Sequence, residues 1–200
     1  MQPDVAALNA LVSACEKGRE WSQALQCLEG LWSDGLEADV ISLNSAVSAC
    51  EKCGEWSPAL KLLAEMLPSG LTPNVITHNA AVSSCEKAGA WKHSVQLVTD
   101  MLGRQLQPND ITYNALISSC EKAADWQRAL ALLVEMGGRR VAADTVSFNA
   151  ALSACEKCRQ WAWGLEILEE MTRRGLLPDT ITYSAAISAC EKGRRWELAR

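Results

Sequence analysis

The chain has 200 residues, of which 48% are hydrophobic and 22% charged, and its formal net charge is -5. These totals fit a folded chain with a sizeable core, and they exclude a disordered chain and a strongly basic nucleic-acid or membrane-surface binder, although a global sum does not report how charge is spread over faces. No run of about 18 apolar residues occurs, so no segment is predicted to span a membrane.

In chain order, MQPDV at the start has neither the apolar core of a signal peptide nor an Arg-rich leader. Met1 stands where LTPNV at Leu71, LQPND at Leu106 and LLPDT at Leu176 have leucine, so residues 1–4 read as the tail of an upstream unit. The first full unit, 5–39, contains SACEKGREW from Ser13. The phrase returns as SACEKCGEW from Ser48 in unit 40–74, SSCEKAGAW from Ser83 in unit 75–109 and SSCEKAADW from Ser118 in unit 110–144. SACEKCRQW from Ser153 falls in unit 145–179, and SACEKGRRW from Ser188 in the partial unit 180–200. Every step is 35 residues. Such a period marks a solenoid in which each unit buries its apolar face against its neighbours, and both chain ends read as cut from a longer array.

Within unit 110–144, Tyr113, Leu116, Ile117 and Cys120 form one helical stripe, and Trp126, Ala129, Leu130, Leu133 and Met136 form a second. Breaks such as KGRE, KCGE and KAGA are long enough only for a turn, so each unit is a helical hairpin. Gly35, Gly70 and Gly175 suit a left-handed cap after the second helix, and Pro73, Pro108 and Pro178 prevent its continuation. Thr77, Thr112, Thr182, Ser42 and Ser147 are expected to N-cap the following first helix.

The recurrent Cys15, Cys50, Cys85, Cys120, Cys155 and Cys190 end the first stripe and are expected in the core. The recurrent Trp21, Trp56, Trp91, Trp126, Trp161 and Trp196 begin the second stripe and are expected to be the main hydrophobic anchors, with Trp126→Ala costing roughly 3 to 5 kcal/mol. Cys50 with Cys53 and Cys155 with Cys158 form C-x-x-C pairs, but they lie three units apart and lack zinc-ribbon or thioredoxin-like surroundings. His78 replaces the Tyr113-type core residue and is expected to be packed and hydrogen-bonded. No phosphate-binding loop, zinc-protease or nucleophile-elbow motif occurs. The expectation is therefore a protein that is not an enzyme, with no metal and no cofactor.

Each unit opens, after PD or PN, on a phrase such as VITHNA, DITYNA or TVSFNA. The tryptophan opens the second helix, whereas tetratricopeptide repeats, with their 34-residue period, carry theirs in the first. This resembles the pentatricopeptide repeat family, whose units begin on a similar P-D-V-V-T-Y-N phrase, over essentially the whole chain. The expected fold is all-α, a right-handed α-solenoid of 35-residue helix-turn-helix repeats. The resemblance implies binding of single-stranded RNA, about one nucleotide per unit, with the first helices lining the concave surface.

It also implies that a base is read by the fifth residue of a unit together with the last. These pairs are Asn9 with Asp39, Asn44 with Asn74, Asn79 with Asn109, Asn114 with Asp144 and Asn149 with Asp179, while Ser184 opens a sixth. In the family's code Asn with Asp favours U and Asn with Asn favours C or U, giving 5'-U-Y-Y-U-U-3'. Ile41, Ile76, Ile111, Val146 and Ile181 match the family's base-clamping place, with Ala6 a weak member. Lys17, Lys52, Lys87, Lys122, Lys157 and Lys192 match a place used toward phosphate.

Beside each lysine stands an acid, namely Glu16, Glu51, Glu86, Glu121, Glu156 and Glu191, and an acid on the groove face opposes phosphate binding. The function expected is therefore pyrimidine-selective RNA binding with weak affinity for this segment alone. The alternatives are a protein-interaction scaffold without RNA affinity, or the targeting arm of a nuclease or deaminase domain. Partners are expected to be single-stranded RNA or other proteins, with no membrane, and the chain itself is expected to be monomeric. By resemblance, the site of action is the mitochondrion or chloroplast, in organellar RNA processing or stability.

Overall fold

The computed structural model describes residues 5–33 and 38–194. Residues 1–4, Gly35 and Trp196 lie outside the described residues. The described residues form eleven α-helices and no strand: α1 (Val5–Gly18), α2 (Trp21–Ser33), α3 (Val40–Cys53), α4 (Trp56–Met66), α5 (Val75–Lys87), α6 (Trp91–Gly103), α7 (Asp110–Lys122), α8 (Trp126–Gly138), α9 (Thr145–Lys157), α10 (Trp161–Arg173) and α11 (Thr180–Lys192). The odd-numbered helices begin at one place of the sequence repeat, and each even-numbered helix begins at its tryptophan.

Two compact units divide the chain, Met1–Gln107 and Pro108–Arg200. In the first, α1 packs on α2 and α3, α3 on α4 and α5, and α5 on α6, while α2 also meets α3 and α4 meets α5. In the second, α7 packs on α8 and α9, α9 on α10 and α11, and α8 and α10 each reach the next odd-numbered helix. Within each unit, then, an odd-numbered helix is packed against the odd-numbered helices before and after it. Burial of one helical stripe therefore requires the neighbour, as expected of a repeat array.

The hairpin turns need a residue in the left-handed region. Gly54 (φ 76°) and Gly89 (φ 70°) supply it without strain, whereas Arg19 (φ 59°), Ala124 (φ 54°), Arg159 (φ 57°) and Arg194 (φ 57°) adopt it despite a side chain. After the second helix, Gly70 (φ 73°) and Gly175 (φ 74°) are left-handed as expected, and Gln105 (φ 61°) and Arg140 (φ 60°) fill the same place without glycine. The geometry is thus imposed by the hairpin and only eased by glycine.

Tyr113, Leu116, Ile117 and Cys120 are all buried, as are Ala129, Leu133 and Met136. The six recurrent cysteines occupy core positions, and Cys50, Cys85, Cys120 and Cys155 are fully buried. Burial, the largest influence on each, pushes the Cys50 and Cys155 thiols up to about 12 and those of Cys85 and Cys120 up to about 11. They remain protonated and serve as small apolar spacers. His78 is buried, with Nδ1 donating to the Asn74 carbonyl at 3.0 Å and Nε2 lying 3.4 Å from Asp100 Oδ2.

The tryptophans depart from the sequence expectation. Trp21, Trp56, Trp91, Trp126 and Trp161 are only half-buried. Each starts its helix beside the hairpin turn, at the end of the layer, so one side of the ring stays open to solvent. Trp56 stacks at 4.5 Å on His93 and Trp126 at 6.0 Å on Trp163, residues of the next even-numbered helix. The fully buried anchors are instead Tyr113, Phe148, Leu43 and the methionines Met66, Met101, Met136 and Met171.

Candidate nucleic-acid interface

The last residue of each unit is the N-cap of the next odd-numbered helix. Asp39, Asn74, Asn109, Asp144 and Asp179 have extended backbones, and their side chains accept from the amides of Ser42, Thr77, Thr112, Ser147 and Thr182. Asp and Asn, and not the hydroxyl residues expected from sequence, hold the cap. The hydroxyl residues sit instead at the third helical position, and in the last four cases they complete a reciprocal capping box. The short Asp or Asn stem, leaving an extended backbone, reaches the free N–H groups, which a residue already inside the helix cannot do.

These caps sit beside the fifth residue of their own unit. Asn9 Nδ2 donates to Asp39 Oδ2 at 3.0 Å, Asn114 Nδ2 to Asp144 Oδ1 at 3.3 Å and Asn149 Nδ2 to Asp179 Oδ1 at 3.2 Å. The hydroxyl at the third helical position closes each triangle: Thr182 Oγ1 donates to Asn149 Oδ1 at 2.6 Å, Ser147 does the same to Asn114, and Ser42 to Asn9. Thr77 Oγ1 donates to Asn44 Oδ1 at 2.6 Å, and Asn74 Nδ2 makes no hydrogen bond among the described residues. Asn79 is buried in the first compact unit, and Asn109 caps α7 in the second. Four of the fifth-and-last pairs are therefore contiguous polar sites. Ser184 is exposed on α11.

The aspartates in these triangles are held ionised. Partial desolvation alone would raise Asp39 and Asp144, but hydrogen bonds from the Ser42 and Ser147 amides and hydroxyls, and from the Asn9 and Asn114 amides, outweigh it and leave both below the usual carboxylate range. Asp179 is lowered as well, first by the Thr182 amide, then by its hydroxyl and by Asn149.

One residue ahead of the N3 hydroxyl, Ile41 is 66% exposed, Ile76 66%, Ile111 54%, Val146 59% and Ile181 62%. Five β-branched aliphatics thus face solvent at one place of the repeat, without core partners. In the second compact unit a shallow depression is lined by Ser153 and Glu156 of α9 and by Ile181, Ser184 and Ser188 of α11, so the aliphatic residue, the fifth residue and the acid share one face.

Four of the lysines are paired rather than free cations. Lys52 Nζ lies 2.9 Å from Glu16 Oε1, Lys87 2.8 Å from Glu51, Lys157 2.9 Å from Glu121 and Lys192 2.7 Å from Glu156. Each joins a unit to the one before it. Glu156 also accepts from Ser188 Oγ at 2.8 Å, and these bonds outweigh its partial desolvation to hold it below the usual carboxylate range. Lys17 is exposed, and Lys122 carries an interaction of its own. Among the described residues, no group of three or more His, Cys, Asp or Glu side chains is placed to hold a metal ion.

The bridging role of Ser42, Thr77, Ser147 and Thr182 was missed in the sequence. Its trace was present, since a hydroxyl residue follows each fifth-position asparagine at constant spacing.

The model of the PPR repeat family matches residues 108–155 and 143–192, and that of the pentatricopeptide repeat domain matches residues 26–87. No curated protein matches the chain by sequence. Among solved structures, the chain is similar to the maize pentatricopeptide repeat protein PPR10 in complex with an 18-nt psaJ RNA element, at 24% identity and a TM-score of 0.79 over 99% of this chain and 29% of that one. It thus spans less than a third of that protein. It is also similar to the PPR domain of Arabidopsis thaliana protein-only RNase P 1 in complex with tRNA, at 14% identity and TM-score 0.77 over 96% of this chain and 98% of that one. Nuclear proteinaceous RNase P 2 from A. thaliana matches at 12% identity and TM-score 0.79, over 100% of this chain and 43% of that one. At these identities the likeness is one of fold.

Proposed function

The chain belongs to the pentatricopeptide repeat family, and on that premise we propose that it binds single-stranded RNA sequence-selectively, about one nucleotide per unit, without catalysis. The observation that carries the proposal is the row of exposed aliphatics, Ile41, Ile76, Ile111, Val146 and Ile181, set beside the Asn–Asp and Asn–Asn sites. An exposed β-branched side chain at one repeat place in five units gains nothing from the core, and a base face would cover it. The capped polar pair beside it then meets the base edge. Each half of the site needs the other if a base is to be both held and read.

The polarity of the pairs supports pyrimidine selection. In the Asn–Asp sites the amide N–H is a donor and the ionised carboxylate an acceptor, a match for a uracil carbonyl beside N3–H. At Asn44 with Asn74 both side chains offer a donor, which fits the adjacent O2 and N3 acceptors of cytosine. The proposed register is 5'-U-Y-Y-U-U-3', with organellar transcripts in mitochondria or chloroplasts as targets on the strength of the family resemblance. The protein is proposed to act as a monomer. The lysine row supplies phosphate contacts only to the extent that the glutamates release it, so this segment binds weakly. That same Glu–Lys row favours the second reading, a protein-interaction scaffold.

Fluorescence anisotropy with UCCUU-containing and purine-rich oligonucleotides decides between them. The RNA reading expects selective binding of the pyrimidine strand that weakens with salt, and Asn114→Thr moving the fourth nucleotide's preference toward G. Equal binding of both strands, or of neither at low salt, overturns it in favour of the scaffold.

A further inference from the structure

We infer that the hydroxyl at the third place of a unit sets the orientation of the asparagine amide in the unit before it, making Ser42, Thr77, Ser147 and Thr182 positioning residues for base recognition. The inference rests on the reading of the fifth and last residues as the base-reading pair. All four hydroxyl residues are fully buried, so none touches a base itself.

An asparagine amide turned by 180° exchanges its donor and acceptor with almost no change in shape, so only its partners fix which end points where. At the fifth unit's pair, Thr182 Oγ1 of the following unit accepts from the Asp179 amide at 3.1 Å and has a single proton to give. Its shortest acceptor contact is Asn149 Oδ1, at 2.6 Å, against 2.9 Å to Asp179 Oδ1. Asn149 Nδ2 points at the Asp179 carboxylate. A turned amide would bring Oδ1 against that carboxylate, losing one bond, and would put Nδ2 at 2.6 Å from Oγ1, a separation that suits O–H···O and is too short for N–H···O. Asn149 therefore has two restraints on its orientation.

The second unit has one. Thr77 Oγ1 donates to Asn44 Oδ1 at 2.6 Å and accepts from the Asn74 amide at 3.2 Å, but Asn74 makes no side-chain bond to Asn44. Thr77 is thus the sole hydrogen-bonding restraint on Asn44, whereas Thr182 shares the task with Asp179. Both threonines complete the same capping box, so replacing either costs the helix start a similar amount. Any difference between the two replacements reports on the amide.

The test compares Thr77→Val and Thr182→Val with Thr77→Ser and Thr182→Ser. Side-chain amide NMR signals of Asn44 and Asn149 are followed in the free protein, and nucleotide preference is measured on UCCUU variants changed only at the second or fifth base. Thr77→Val is expected to free the Asn44 amide and reduce pyrimidine preference at the second nucleotide about fivefold, the value of one net hydrogen bond. Thr182→Val is expected to reduce preference at the fifth nucleotide less. The serine variants, which keep the hydroxyl as Ser42 and Ser147 do, should restore both. Equal loss at every nucleotide, or serine variants behaving like valine variants, overturns the inference. A wild-type protein with no base preference removes the RNA reading while leaving positioning to the amide signals, and an Asn44 amide unchanged by Thr77→Val then overturns it.

Discussion

Asp144 does two tasks that use the same charge. Its carboxylate caps α9 and accepts from Asn114, and those bonds hold it ionised below the usual carboxylate range. A depressed folded-state pKa contributes stability that is complete above the unfolded value of about 4 and is lost as pH falls through the folded value. Thermal melts should therefore be flat near neutrality and drop in acid below about pH 4. Asn occupies the equivalent cap at Asn74 and Asn109, so Asp144→Asn should keep stability at pH 7 within about 0.5 kcal/mol. The same change should lessen the acid loss and move the fourth nucleotide's preference from U toward C. An acid limb identical to wild type would show that the cap's charge is not coupled to folding. An unchanged preference would remove Asp144 from base reading.

Among the helices, the even-numbered ones owe their hold to the residues one to three turns past the tryptophan. Trp126 is half-buried at the start of α8, whereas Ala129 and Met136 further along it are fully buried in one cluster with Phe148 of α9, the odd-numbered helix that α8 packs against. Phe148→Ala should cost about 3 to 5 kcal/mol, and Trp126→Ala roughly half of that, because much of the indole never leaves water. Chemical denaturation of the two variants gives the comparison directly. Between the helices, Ala124 holds φ 54° with nothing but the turn to require it. Ala124→Gly should stabilise by about 0.5 to 1 kcal/mol, the relief of left-handed strain less the extra freedom of an unfolded glycine. A lower melting temperature would mean that the hairpin tolerates the alanine without strain.

Across each compact unit, the odd-numbered helices are tied by Glu–Lys pairs, Glu16–Lys52 and Glu51–Lys87 in one and Glu121–Lys157 and Glu156–Lys192 in the other. Half-exposed pairs of this kind contribute little stability, so their main effect is electrostatic: a row of cations is matched by a row of anions. Replacing Glu16, Glu51, Glu121 and Glu156 together with Gln should leave the fold intact and raise RNA affinity. The salt dependence should steepen by up to about 0.7 in log-log slope for each lysine released. Affinity and slope that stay at wild-type values would place the lysines away from the phosphate path.

The repeat, its helical hairpins and the buried stripe through Tyr113 and Cys120 follow from sequence alone, because periodicity states which side chains must share a face and a solenoid adds nothing except neighbours. The asparagines and the aliphatic row were legible for the same reason. Three matters needed the tertiary structure. Trp126 looks like an anchor in a linear stripe, and only its place beside the turn shows that its ring is half open. Thr182 looks like a cap, and only the path of the backbone puts Asp179 there and leaves the hydroxyl facing Asn149. Lys192 looks like a free cation, and only the approach of α11 to α9 brings it to Glu156. In each case the deciding partner comes from a chain turn or from another helix, and a repeat pattern specifies a residue's face without specifying what stands opposite it.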